Sequence, residues 1–114
     1  MKMQEIIKVL EAEVLYGSDT SIEIEAACGS DMMSDALAFV KHNGMLLTGL
    51  VNPQAIRTAE MLDMLCICFV RGKKPTEAML DLAQECGVMV ISTAHRMFTA
   101  CGLLYEAGLR GGND

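Results

Sequence analysis

Three short segments, residues 45–50, 65–70 and 88–91, are nearly unbroken runs of apolar side chains, and each is followed by a polar loop and a stretch of helical periodicity. A strand with one face in water alternates apolar and polar residues, because successive side chains point to opposite faces. A run without alternation is a strand covered on both faces, as parallel sheets require. Strands of this kind alternating with helices predict an α/β domain of three layers, a mostly parallel central sheet flanked by helices. At 114 residues the chain has the length of one domain with a core of its own.

The helices are predicted at 53–62, with Pro53 in the first helical position after Asn52, at 76–86, closed by Gly87, and at 96–107, closed by Gly108. Met79, Leu82, Ala83 and Cys86, like Met97, Cys101, Leu104 and Tyr105, have the one-sided spacing of helices lying on a sheet. Before these units, Met3, Ile6, Ile7 and Leu10 predict a short amphipathic helix, followed by an apolar Val14-Leu15-Tyr16 that ends at Gly17. In 21–26, Ile22, Ile24 and Ala26 alternate with Glu23 and Glu25, which predicts an edge strand. Met32, Met33, Ala36, Leu37 and Val40 then form a helical stripe, with Ser30 or Asp31 as its N-cap and Gly44 after its end. The domain is expected over 2–109, with 110–114 a flexible tail.

Charge narrows the function. Fifteen acidic against nine basic residues leave a net charge of −6, which repels a phosphate backbone, so nucleic acid is not an expected partner. No window approaches the ~18 consecutive apolar residues of a membrane span, and the first residues mix charge into apolar positions, unlike a signal peptide, so the expected location is the cytoplasm. The five cysteines are odd in number, and four lie within or next to apolar runs, which fits a reducing compartment. Cys66 and Cys68 share one face of a buried strand and read as core; no set of cysteines or histidines has metal-ligand spacing, and no metal or cofactor is expected. Ten methionines and no tryptophan make the core aliphatic and thioether-rich, a composition that also suits adaptable interfaces.

In an open parallel sheet, ligands bind where loops and helix N-termini gather at the carboxyl ends of the strands. Four segments are nominated on that ground: Ser30 and Asp31 with Ser34 and Asp35; Thr48 to Asn52; Arg71, Gly72, Lys73 and Lys74; and Thr93, His95 and Arg96. Whether they share one cleft depends on strand order. Arg71, Lys73 and Lys74 are the basic cluster, suited to a phosphate or carboxylate, or else solvating a strand end. His95 would serve as acid or base only with a carboxylate such as Asp31 or Asp35 beside it, while His42 suits the C-terminal end of the second helix. The phosphate-cradling, dinucleotide and nucleophile-elbow motifs are absent.

The order Gly29-Ser30-Asp31-Met32-Met33-Ser34-Asp35-Ala36, Leu47-Thr48-Gly49 with Asn52, Val70-Arg71-Gly72-Lys73-Lys74-Pro75-Thr76-Glu77, and Ser92-Thr93 leading to Phe98 and Leu104-Tyr105-Glu106 resembles the DRTGG domain over nearly the whole chain. The likeness is greatest to short stand-alone members, which occur in anaerobes beside iron-only hydrogenase and other redox genes. Related domains regulate phosphotransacetylases and CBS-domain pyrophosphatases, and the N-terminal domain of HPr kinase is a structural relative. The family's Asp-Arg pair reads Leu50-Val51-Asn52 here, and its Thr-Gly-Gly reads Val70-Arg71-Gly72. The resemblance implies a non-enzymatic regulatory or assembly module, homodimeric, sensing a small anionic ligand or nucleotide, with a redox-complex protein as partner. Kinase activity is not expected, because no phosphate-binding loop is present. The alternative is a small enzyme using His95 with an Asp on an anionic substrate.

Overall fold

The computed structural model describes residues 1–38 and 42–112. The chain runs α1 (Met3–Leu10), β1 (Glu13–Tyr16), β2 (Ala26–Gly29), α2 (Met33–Ala36), β3 (Gly44–Thr48), α3 (Pro53–Met61), β4 (Cys66–Phe69), α4 (Glu77–Cys86), β5 (Met89–Ser92) and α5 (Met97–Ala107). The strands form one sheet in the order β1-β5-β4-β3-β2, with β2 to β5 parallel and β1 antiparallel at its edge.

Every residue of β3, β4 and β5 is buried, as the unbroken apolar runs predict. Alternate side chains enter opposite layers. Met45, Leu47, Cys66, Cys68, Met89 and Ile91 pack with Met3, Ile6 and Leu10 of α1 and with Ala100 and Leu104 of α5. Leu46, Ile67, Phe69 and Val90 meet Met33, Ala36, Ala55, Ile56, Ala59, Met79 and Ala83 of α2, α3 and α4. The parallel register sets Cys66 between Met45 and Met89, and Cys68 between Leu47 and Ile91, so both strand cysteines lie inside a buried layer.

Helix ends follow local chemistry. The Asn52 side chain accepts the Gln54 N–H at 2.8 Å with Pro53 next, and the Thr76 hydroxyl accepts the Met79 N–H at 3.3 Å. Gly87 and Gly108 take the left-handed conformation that closes α4 and α5.

Four readings need correction. The edge strand expected at 21–26 is displaced to Ala26–Gly29. The alternation at 22–24 is real, with Ile24 buried and Glu23 exposed, but it comes from an isolated bridge between Glu23 and Lys2 and not from the sheet. Val14 and Tyr16 belong to the antiparallel strand β1 at the far edge, interrupted by an irregularity between them. The stripe from Met32 to Val40 yields a single turn of helix, in which Met33 and Ala36 are buried while Met32 and Leu37 are exposed; Val40 lies outside the described residues. Gly44 opens β3, and Ser30 and Asp31 do not cap α2, whose N-cap is Met32.

Beyond α5, Leu109 is buried, and the Arg110 carbonyl accepts the Ala27 N–H at 3.0 Å. The Arg110 guanidinium lies 3.8 Å from the centre of the Tyr105 ring. Of the tail expected to be flexible, Asn113 and Asp114 lie outside the described residues. Among the described residues no helix is long and apolar enough to cross a membrane.

Candidate functional site

Because β2, β3, β4 and β5 are parallel neighbours, their carboxyl ends form one continuous row, and the four nominated loops lie side by side along it. The loop after β4 leads to α4 in one layer while the loop after β5 leads to α5 in the other, the divergence that opens a crevice in α/β sheets. At this end a cleft of about 600 Å³ is lined by Asp31, Arg71, Ala94, Arg96, Met97 and Phe98, among others.

Asp31 spans two strands. Its Oδ1 accepts the Gly49 N–H at 2.6 Å and the buried Thr48 hydroxyl at 3.1 Å, tying the end of β2 to that of β3. Ser30 makes a local turn, its hydroxyl accepting the Met32 N–H at 3.0 Å. Thr48 also accepts the Leu50 N–H at 3.0 Å, so its hydroxyl is engaged on both sides.

Arg71 and Gly72 form a left-handed pair, with φ of 62° and 68°. Their amides reach across to the β5 loop, Arg71 N–H to the His95 carbonyl and Gly72 N–H to the Thr93 carbonyl, both at 2.8 Å. A left-handed conformation is routine for glycine but costs an L residue roughly 1–2 kcal/mol, so arginine here stores a little strain that the two bonds hold. The Arg71 side chain lies against Gly49, where an added Cβ would stand 2.7 Å from its Nη2. Glycine at 49 therefore makes the shelf for the guanidinium. On the cleft's other wall, Arg96 is the N-cap of α5 and leaves that helix without a side-chain cap.

The remaining candidates are used by the fold or stand apart. Ser34 and Asp35 are exposed on α2 and do not line the cleft, and Asn52 caps α3. Lys73 accepts the Ser92 hydroxyl on its carbonyl at 2.9 Å, and Lys74 pairs with Glu13 at 2.5 Å, so of the basic cluster only Arg71 lines the cleft. Thr93 is buried and donates to the Leu10 carbonyl at 2.7 Å. The carboxylate near His95 is that of Glu11, at 3.5 Å, and not Asp31 or Asp35, which removes the expected acid-base pair. His42 lies beyond the short α2 and faces Asp63 at 3.7 Å.

Sequence reasoning did not place Met97 and Phe98 among the candidate site residues, yet both line the cleft. The stripe Met97-Cys101-Leu104-Tyr105 is expected to face the sheet: Leu104 is buried beside Ala100, and Met97 and Cys101 pack against the same core, but Tyr105 is 53% exposed and Phe98 91% exposed. The signal was there in part: α5 carries a single charged residue, Glu106, which makes the choice of inward face ambiguous from periodicity. Burial pushes the Cys68 thiol up to about 12 and Cys66 well above its ordinary value, consistent with core cysteine. Among the described residues no group of acidic, histidine or cysteine side chains could hold a metal ion.

No family model and no curated protein matches the chain. Among solved structures it is similar to the CBS and DRTGG domains of the regulatory region of Clostridium perfringens pyrophosphatase, whose structure is complexed with an activator, diadenosine tetraphosphate. The TM-score is 0.72 at 19% identity, and the match covers 90% of this chain and 45% of that one, so this chain spans less than half of the region it matches. The architecture expected from the resemblance is present, and the fold of this chain is that of a DRTGG-type domain.

Proposed function

We propose that this chain is a non-enzymatic regulatory or assembly module that senses a small anionic ligand, of the nucleotide class, at the carboxyl ends of β2 to β5, and that it works as a homodimer in the cytoplasm. The observation that carries the ligand part is the convergence of Arg71 and Arg96 on one cleft in a chain of net charge −6. Two guanidiniums supply planar, bidentate donors for phosphate oxygens, and the apolar Ala94 and Met97 line the cleft beside them. The Thr48 and Asp31 hydrogen bonds hold the strand ends in place beneath, which lowers the ordering cost of binding.

The likeness to a regulatory region that binds a dinucleotide activator supports this reading. A partner in a redox system of the hydrogenase type rests on the family resemblance, and retention of such a complex on immobilised protein tests it. For the ligand, thermal shift and calorimetry with AMP, ATP, diadenosine tetraphosphate and acyl phosphates are direct. A site filled at 100 times its dissociation constant stabilises the fold by about 2.7 kcal/mol. A shift with one of these ligands, lost in Arg71→Gly, is the expected result; no shift with any of them, or binding unaffected by loss of Arg71, would overturn the assignment.

A further inference from the structure

The cleft at the strand ends carries three kinds of chemistry in a fixed order. Arg96 and Phe98 follow β5, Arg71 follows the neighbouring β4, and Asp31 follows β2 on the far side of β3. Phe98 is 91% exposed, more than any other large apolar side chain among the described residues, and α5 packs on the sheet without it, through Ala100 and Leu104. A single exposed aromatic is ordinary on a protein surface, but one that shares a cleft with two guanidiniums has the make-up of a base-stacking platform. Asp31 spends Oδ1 on the Gly49 N–H and the Thr48 hydroxyl, while its Oδ2 has no hydrogen-bond donor among the described residues. The Arg71 guanidinium rests on Gly49, whose N–H that same carboxylate holds, yet among the described residues no ion pair joins Asp31 to either arginine. The cleft therefore offers one ligand an acceptor, cationic donors and an aromatic face.

We infer that the cleft is built for one ribonucleotide unit: Phe98 stacks the base, Arg71 and Arg96 hold the 5′-phosphate, and Asp31 Oδ2 accepts the ribose hydroxyls. The inference rests on the nucleotide reading above and names what each wall recognises. The carboxylate is the discriminating part. An acyl phosphate brings Asp31 further negative charge and no hydroxyl, and like charges set together weaken binding. A ribose brings two hydroxyl donors. They leave one side of the sugar while the base and the 5′-phosphate leave the other, and strand order matches that division, with the acceptor at β2 and the aromatic and cations at β4 and β5. A carboxylate that reads ribose hydroxyls at the carboxyl ends of parallel strands is also the solution of dinucleotide-binding sheets. The volume of about 600 Å³ falls within the roughly 300–1,000 Å³ of small-molecule sites.

Calorimetry on the unmodified chain with AMP, 2′,3′-dideoxy-AMP and ribose 5-phosphate tests this. AMP should bind roughly tenfold or more tighter than the dideoxy analogue, which has no hydroxyl for Asp31. It should bind roughly fivefold or more tighter than ribose 5-phosphate, which has no base. Asp31→Asn keeps an acceptor for the Gly49 amide and should shrink the first gap. Phe98→Ala should shrink the second by weakening AMP alone, and Phe98→Trp should retain it. Such coupling between one ligand group and one side chain is a readout that a general loss of stability could not produce. Equal binding of AMP and its dideoxy analogue, or gaps that survive undiminished in Asp31→Asn and Phe98→Ala, would overturn the inference and leave the anion site standing. Failure of the unmodified chain to bind either AMP or ATP would overturn the nucleotide reading and this inference together.

Discussion

Asp31 at the end of β2 accepts the backbone N–H of Gly49 at the end of β3 at 2.6 Å. A side chain that sequence reasoning placed as a helix cap is instead a cross-strand tie, and the same oxygen holds the Thr48 hydroxyl. Asp31→Ala leaves a buried hydroxyl and an amide without their acceptor, and should cost about 2 kcal/mol in urea unfolding, with Asp31→Asn losing less because its amide oxygen can still accept. Equal losses in the two variants would count against the tie.

Arg71 can be separated into a backbone part and a side-chain part. Its φ of 62° suits glycine, so Arg71→Gly should leave stability unchanged or raise it by up to about 1 kcal/mol, while nucleotide affinity falls roughly tenfold or more. Stability and affinity moving in opposite directions is the signature of a binding residue. A parallel loss of both would make Arg71 structural.

Gly49→Ala offers the same test without changing charge. The new Cβ would stand 2.7 Å from the Arg71 Nη2, the far end of a flexible side chain, so the guanidinium should swing off its shelf at a stability cost under about 1 kcal/mol. Calorimetry should show weaker nucleotide binding than in the parent chain. Gly29→Ala is the contrast: its Cβ would meet Cys101 Sγ at 2.7 Å and Met97 Sδ at 3.2 Å, between a strand and the helix lying on it, and about 1–3 kcal/mol should be lost.

Cysteine burial predicts an alkaline limit to stability. The Cys68 thiol is raised from 9.0 to about 12 in the folded chain, with loss of hydration the chief cause and the nearby Cys101 second. The folded state thus keeps a proton that the unfolded chain releases above pH about 9. The stabilisation is complete below that pH and is lost as pH rises toward about 12, with a slope near 1.4 kcal/mol per pH unit for each such thiol. Urea midpoints measured from pH 8 to 11 should fall along this course, and less steeply in Cys68→Ala. Alkylation at pH 8 should reach the half-buried Cys28, Cys86 and Cys101 before Cys66 and Cys68, and the reverse order would contradict the packing.

The parallel centre of the fold was legible because its cause is local and repeated. Residues 45–50, 65–70 and 88–91 lack polar alternation, and only a strand covered on both faces tolerates that. Asn52 with Pro53, Thr76, Gly87 and Gly108 marked helix ends through hydrogen bonds made within a few residues. The edges were less legible. Ile22 and Ile24 alternate as in a sheet strand, yet their partners are residues 1–3, and no property of the segment distinguishes one pairing partner from another.

For the site, the sequence by itself determined which loops could hold chemistry, since the end of every parallel strand points the same way. Tertiary structure alone decided which side chains remain available there. Thr48, Asn52 and Thr93 are consumed by hydrogen bonds within the fold, and His95 is turned toward Glu11. Arg71, Arg96 and Phe98 come together because the chain crosses from one layer to the other after β5. Spacing along a chain records local geometry, whereas the meeting of Asp31 with Gly49, or of Arg71 with the β5 loop, is set by strand order, which no short stretch of sequence encodes.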